Sequence, residues 1–255
     1  MSPSSTTSST TDPGTPDHDL LARLQALEGV PSALASARDG IDAVLRDRGL
    51  RRTSPETTAE SLLRGAHASA VLEGSASTLA EVRAGEGDET AAAAVRLSTE
   101  LLALAPVMRR SPLQALARLH TVAAAGSVAH DRLGRPRDAE AAELLRTVAA
   151  MLAADAPALV VAAVVHGQLL AAAPFASHNG LVARATERLV LVARGVDEKS
   201  LVVPEAGHLA LRAAYDANAA ALREGGEAAV HRWLLYSAEA YAAGAEASPV
   251  RTPDA

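Results

Sequence analysis

The sequence predicts an all-α fold, and three observations carry that prediction. Hydrophobic residues make up 49% of the 255 residues but aromatics only 2%, so the core must be built mainly from Ala, Leu and Val. Ala and Leu are strong helix formers, and small side chains let helices pack closely. The apolar positions also fall at helical spacing, in segments punctuated by Pro and Gly. A chain of this length can bury one large core or two small ones.

Composition excludes several classes of function. There is no cysteine, hence no disulfide framework and no thiolate chemistry. A formal net charge of −6 argues against a general nucleic-acid binder. The most apolar run, Ala156 to Val165, is too short to span a bilayer and leads into His166 and Gln168. The N-terminus lacks the basic and apolar regions of a signal peptide. A soluble cytoplasmic protein with no nucleic-acid or membrane partner is expected.

In order along the chain, residues 1–17 are Ser, Thr, Pro and Gly with little apolar content, and are expected to form a disordered tail. Residues 18–60 hold N-terminal helices. One covers Leu20 to Leu27. The next has Pro31 in its first turn and Leu34, Ile41, Val44 and Leu45 on one side, and Gly49 closes it. Ser54-Pro55 starts a helix that ends at Gly74. Ala84 to Asp88 reads as a flexible acidic linker. A helix from Glu89 to Leu104 should stop at Pro106, and Ser111-Pro112 starts another that runs to about Ala124. Further helices are expected over Glu140–Ala153, Ala158–Ala172 and Leu181–Arg194. The last of these holds the continuous apolar run Leu189 to Val192 and should be central and buried. Pro204-Glu205 opens a helix broken at Gly225-Gly226. Val230 to Ala243 holds Trp233 and two of the three tyrosines, and residues 246–255 should fray.

The functional signal lies in Ala173-Pro174-Phe175-Ala176-Ser177-His178-Asn179-Gly180-Leu181-Val182-Ala183-Arg184. Pro174 closes one helix, a polar turn follows, and a new helix begins with free N–H groups suited to an anion. The stretch resembles the signature loop of the Fic (Fic/Doc, or Fido) family, H-P-F-x-[D/E]-G-N-[G/A]-[K/R]-x-x-R. Pro174, Phe175, Asn179, Gly180 and Arg184 match. Ala173 stands for the His, Ser177 for the acid, His178 for the first Gly and Leu181 for the first basic residue.

Other segments extend the resemblance over about Ser61 to Ala245, the expected domain being 61–245 with the helix at 55–74 included. Ser69, Glu73 and Gly74 match the [S/T]-x-x-x-E-[G/N] motif of the family's inhibitory helix. Gly134, Arg135 and Arg137 resemble a segment that leads to its flap. His166 stands seven residues before Ala173, where family members commonly carry a His, and a Tyr/Trp ending follows the loop.

The resemblance implies a Fic-type helical bundle with a small β-hairpin flap, and transfer of AMP from ATP to a protein hydroxyl. In such enzymes the signature His is the base, the acid holds Mg²⁺, and the turn and two basic residues hold phosphates. Here Ala173 has no proton acceptor, Ser177 is a poor Mg²⁺ ligand, and Leu181 has no charge. A missing base costs about 10²–10⁴ in rate, and losing the metal ligand removes charge neutralisation from phosphoryl transfer. Asn179, Gly180 and Arg184 remain, enough for weak anion binding.

The expectation is therefore a degenerate Fic-fold protein that binds or regulates a protein partner. One alternative is an adenylyltransferase with a rewired site, using ATP and Mg²⁺ with His178 or His166 as base. Another is a helical interaction module whose likeness to the family is accidental. His166 is otherwise a hydrogen-bonded core histidine. No metal site is expected, because none of the eight His residues lies at ligand spacing from another His or a carboxylate cluster. In family members the inhibitory Glu reaches the second Arg of the loop, so Glu73 is expected within salt-bridge distance of Arg184, in a largely buried setting.

Overall fold

A computed structural model describes residues 16–46 and 54–251. Twelve α-helices are present among them, and no strand. The expected N-terminal tail lies outside the described residues up to residue 15, as do Gly49 and residues 252–255; Pro16 and Asp17 already belong to the first helix.

Helices α1 (Pro16–Gln25) and α2 (Val30–Arg46) precede α3 (Pro55–Leu72). Pro55 opens α3, as its fixed φ and missing N–H allow. Next comes an unexpected helix, α4 (Leu79–Ala84). Its signal was a capping box: the Thr78 N–H donates to Glu81 Oε2 at 2.7 Å, and the Glu81 N–H donates to Thr78 Oγ1 at 3.3 Å. The supposed flexible linker is in fact pinned. Gly85 ends α4 at φ 76°, the Asp88 N–H donates to Ser77 Oγ at 2.9 Å, and the Asp88 side chain caps α5.

The fifth helix, α5 (Glu89–Arg110), does not stop at Pro106. Leu104, Ala105 and Met108 are buried, so apolar packing holds the helix through the hydrogen bond that proline omits. By length and composition α5 could cross a membrane, the one helix among the described residues that could. Here α3, α6 and α9 pack around it, and Arg96 and Glu100 interrupt its apolar sequence.

Helix α6 (Pro112–Ala123) is followed by a single 3₁₀ turn at His130–Arg132 and then by α7 (Ala139–Ala153). The hairpin flap implied by the resemblance is absent from this described segment. The Gly134 N–H goes to His120 Nδ1 instead of to a partner strand. Helices α8 (Ala158–Ala172) and α9 (Asn179–Ala193) form the centre and pack on each other. In α9 every residue from Gly180 to Ala193 is buried.

The last predicted pair of helices is three: α10 (Pro204–Ala210), α11 (Arg212–Glu224) and α12 (Glu227–Glu246), with a break at Leu211. α2 and α10 both pack along α12. The end expected to fray continues α12 to Glu246, and Ser248 beyond it is fully buried.

Glycines set how closely these helices approach. A Cβ on Gly207 of α10 would lie 2.0 Å from the Ala240 carbonyl oxygen of α12, and one on Gly244 would lie 2.8 Å from the Val203 carbonyl oxygen. Backbone cannot yield as a flexible side chain can. Gly207→Ala should therefore cost about 3 kcal/mol or more. Gly40→Ala, inside α2 with nothing within 4 Å of the new methyl, should gain up to about 1 kcal/mol. Urea denaturation of both variants against the parent chain checks the contrast.

Candidate functional site

The loop between α8 and α9 is built by local chemistry. α8 ends at Ala173, whose φ of 45° is left-handed, and Pro174 prevents continuation. The Phe175 N–H donates to Asn179 Oδ1 at 2.8 Å, and Asn179 Nδ2 donates to the Phe175 carbonyl at 3.0 Å. Both ends of the Asn179 amide are thus used to close the turn. Phe175, the one phenylalanine, is buried and stacks on His120 with ring centres 4.4 Å apart. His178 precedes α9 with φ 56°, a conformation that His tolerates better than most side chains. Its Nδ1 lies 2.7 Å from Ser177 Oγ. Burial, and then the neighbouring Arg96, lower the His178 pKa.

Above the N-terminus of α9 sits a carboxylate from the chain itself. A Cβ on Gly180 would lie 2.0 Å from Glu73 Oε1, so only glycine allows Glu73 this close. Glu73 also meets Arg184 at 2.7 Å. Arg184 is 1% exposed and each of its guanidinium nitrogens is engaged. Nε donates to Ser69 Oγ at 2.8 Å, Nη1 to the Tyr215 hydroxyl at 2.9 Å, and Nη2 to the Ser69 carbonyl at 3.1 Å as well as to Glu73. Burial works against the charge, yet Tyr215 and Glu73 raise the Arg184 pKa above its ordinary value. The expected setting is half corrected: Arg184 is buried, but the Glu73 side chain is 31% exposed, because α3 ends at Leu72 and the carboxylate faces out of the bundle. Gly74 follows at φ 93° and lets the chain turn away.

Of the residues read as a flap, Gly134 lies against α6, where a Cβ would be 2.9 Å from the Ala117 carbonyl oxygen. Arg137 braces the loop. Its backbone N–H donates to the Pro174 carbonyl at 2.9 Å and its Nη1 to the Ala173 carbonyl at 2.6 Å. Arg135 is exposed.

Arg184 is one end of a buried polar chain that sequence spacing did not reveal. The Tyr215 hydroxyl accepts from Arg184 and lies 3.2 Å from His166 Nε2. His166 Nδ1 lies 3.1 Å from Glu187 Oε1, too oblique for a hydrogen bond. The other Glu187 oxygen is 2.8 Å from His208 Nε2, and His208 Nδ1 is 2.8 Å from the Tyr236 hydroxyl. The Tyr241 hydroxyl donates to Glu187 Oε1 at 3.0 Å. Burial opposes ionisation of Glu187, but His166 and His208 hold its carboxyl below the ordinary range. Burial lowers the His166 pKa and raises those of Tyr236 and Tyr241, so these three are neutral.

The partners then assign a direction. The Tyr215 hydroxyl, which accepts from Arg184, is left to donate to His166 Nε2, and Glu187, which has acceptors alone, takes the N–H of His208 Nε2 and the O–H of Tyr241. All three tyrosines belong to this cluster, and the one tryptophan, Trp233, meets His166 edge-on. His166, Glu187 and His208 also form the one group among the described residues that could hold a metal by proximity, contrary to the spacing argument. His208 Nε2 already carries a hydrogen toward Glu187, which accepts from Tyr241 as well, so both groups are engaged in hydrogen bonds. His166 is the expected core histidine, sealed from solvent.

Solved structures match this arrangement of helices. A Fic family protein from Desulfovibrio desulfuricans G20 superimposes with a TM-score of 0.72 at 16% identity, over 87% of this chain and 74% of that one. Fic-1 (residues 134–508) from C. elegans does so with a TM-score of 0.65 at 17% identity, over 90% and 73%. Its E274G form gives 0.63 at 17%, over 88% and 72%. The chain has the Fic fold. No protein-family model matches its sequence, and no curated protein does either. At this identity the likeness speaks for the fold alone. In this Fic fold, Ala173 presents a methyl group, and Leu181 is 1% exposed inside the core.

Two predictions follow from the buried charges. Arg188, one turn beyond Arg184, pairs with Glu205 at 3.1 Å with both side chains buried. Glu205→Ala should cost about 3–5 kcal/mol by stranding Arg188. Glu73→Ala should cost about 1–2 kcal/mol, because its carboxylate is partly solvated and Arg184 keeps Ser69 and Tyr215. Chemical denaturation of the two variants checks the order.

The second prediction concerns pH. Burial, then the charge of His178, pushes the His120 pKa down to about 4, and burial lowers that of His166. Unfolded imidazoles take up protons near pH 6.5, so below that the unfolded chain gains protons that the fold refuses. Stability should be full above pH 6.5 and fall as pH drops from 6.5 toward 4. His120→Gln should flatten the slope in a pH series of urea midpoints.

Proposed function

We propose that this chain is a cytoplasmic Fic-fold protein that no longer transfers AMP and acts by binding or regulating a protein partner. The observation that carries this reading is the state of the α9 N-terminus. The place where a helix would receive an anion is filled by Glu73 over Gly180, and Arg184 below it is engaged at every nitrogen.

The residues around that place support the same reading. Asn179 spends its amide on the turn, Ala173 offers no proton acceptor, and Ser177 is a neutral hydroxyl where a metal would require a carboxylate. Leu181 is packed in the core, so a basic residue there would bury an unpaired charge. These changes suit a scaffold kept for its shape, with Glu73 and Arg184 retained as an ion pair that joins α3 to α9.

A rewired adenylyltransferase using ATP and Mg²⁺ is the second reading, favoured by His178. It is half-buried at the loop, and its lowered pKa leaves it neutral and able to accept a proton near pH 7. Neither the wild-type chain nor Glu73→Ala should transfer label from ATP to itself or to proteins of a cell extract. Millimolar ATP with Mg²⁺ should leave the melting temperature unmoved, since a ligand of the native state must raise it. Incorporation that disappears in His178→Ala would establish the second reading and overturn the first.

A further inference from the structure

A cavity lies away from the loop, between α1, α8 and the turn that joins α11 to α12. Its volume is about 590 Å³, against about 320 Å³ for the cleft beside α2 and 260 Å³ for the one beside α4 and α5. Small-molecule sites span roughly 300–1,000 Å³. The hollow exists because small residues border it: Ala171 on α8, and Gly225 and Gly226 in the turn, where an added Cβ would meet nothing within 4 Å. Its walls are aliphatic, with Leu20, Leu24 and Leu27 on one side and Val164, Leu222 and Val230 opposite. Trp233, the one tryptophan of the chain, forms part of the lining and is 1% exposed.

Three polar side chains interrupt this apolar lining: Arg23, Gln168 and Glu227. Arg23 falls three residues after Leu20 and four before Leu27, on the leucine side of α1, where helical periodicity would place another apolar residue. Its guanidinium is exposed and has no ion pair or hydrogen bond among the described residues. Residues 2–15 consist of Ser, Thr, Pro, Asp and Gly alone, and none of them carries a long aliphatic side chain.

We propose that this cavity binds a small amphipathic carboxylate, with its aliphatic body against the leucines and its carboxylate on Arg23. An apolar chain in such a site gains by leaving water, and a cation with no ion pair among the described residues complements the acid head. Gln168, half-buried in the same lining, can donate a further hydrogen bond to the carboxylate. Glu227 disfavours a head group carrying more than one negative charge.

Trp233 makes the test direct, because no other tryptophan contributes fluorescence. Dodecanoate, titrated below its micelle concentration into the full chain, should change that fluorescence saturably. Each methylene removed, through decanoate to octanoate, should weaken binding about fourfold. Arg23→Gln, an exposed position that folding does not depend on, should weaken dodecanoate about tenfold and leave dodecanol unchanged. Ala171→Phe should abolish the response to all of these probes. The proposal is overturned by the lack of a saturable response in the wild-type chain, by dodecylamine binding more tightly than dodecanoate, or by an Arg23→Gln variant that treats acid and alcohol as the parent does.

Discussion

Three charges on one turn of a wholly buried helix constrain the rest of this structure. Arg184, Glu187 and Arg188 lie on α9, where the neighbouring positions other than Thr186 are leucine, valine and alanine, and none of the three is more than 2% exposed. A buried charge without a partner costs several kcal/mol, so each must be met from another helix. Arg184 is met from α3 and α11, through Ser69, Glu73 and Tyr215. Arg188 is met from α3 and α10, through Ser61 and Glu205, and from Ser200. Glu187 is met from α8, α10 and α12, through His166, His208 and Tyr241. Five helices are thereby registered against α9 by groups that work at only one depth and angle.

That registration explains how so few aromatic residues suffice. Alanine-rich helices pack closely but with little directional preference, and a core of small aliphatic groups can slide. Hydrogen-bonded side chains do not slide. Placing all three tyrosines and the tryptophan around the two histidines concentrates the bulky, directional groups where α8, α9, α11 and α12 meet. The glycine contact between α10 and α12 brings Glu205 and His208 close enough to reach α9.

The loop before α9 depends on the same framework. Its backbone is held by Asn179 from within, by Arg137 from the stretch just before α7, and by the stacked pair Phe175 and His120 beneath. Glu73 occupies the helix N-terminus, so the helix dipole and Arg184 are both answered inside the molecule.

Much of this was legible in the sequence. Helix-forming composition, apolar spacing and proline placement determined an all-α chain and located α8, α9 and the loop between them, because these are local properties of consecutive residues. The Thr78/Glu81 capping box was equally local and marked α4, but its residues sat in a stretch read as linker. Pro106 misled because the local cost of proline is real, and burial of Leu104 and Met108 outweighed it. Partnership was not local. Nothing in the spacing of His166, Glu187, His208 and Tyr241 indicates that they share one buried cluster, since their meeting depends on how four helices cross. The exposure of Glu73, its seat over Gly180 and the cavity beside Trp233 belong to the same category. Consecutive residues decide which helices form, and only the packing of those helices decides which distant charges must face each other away from water.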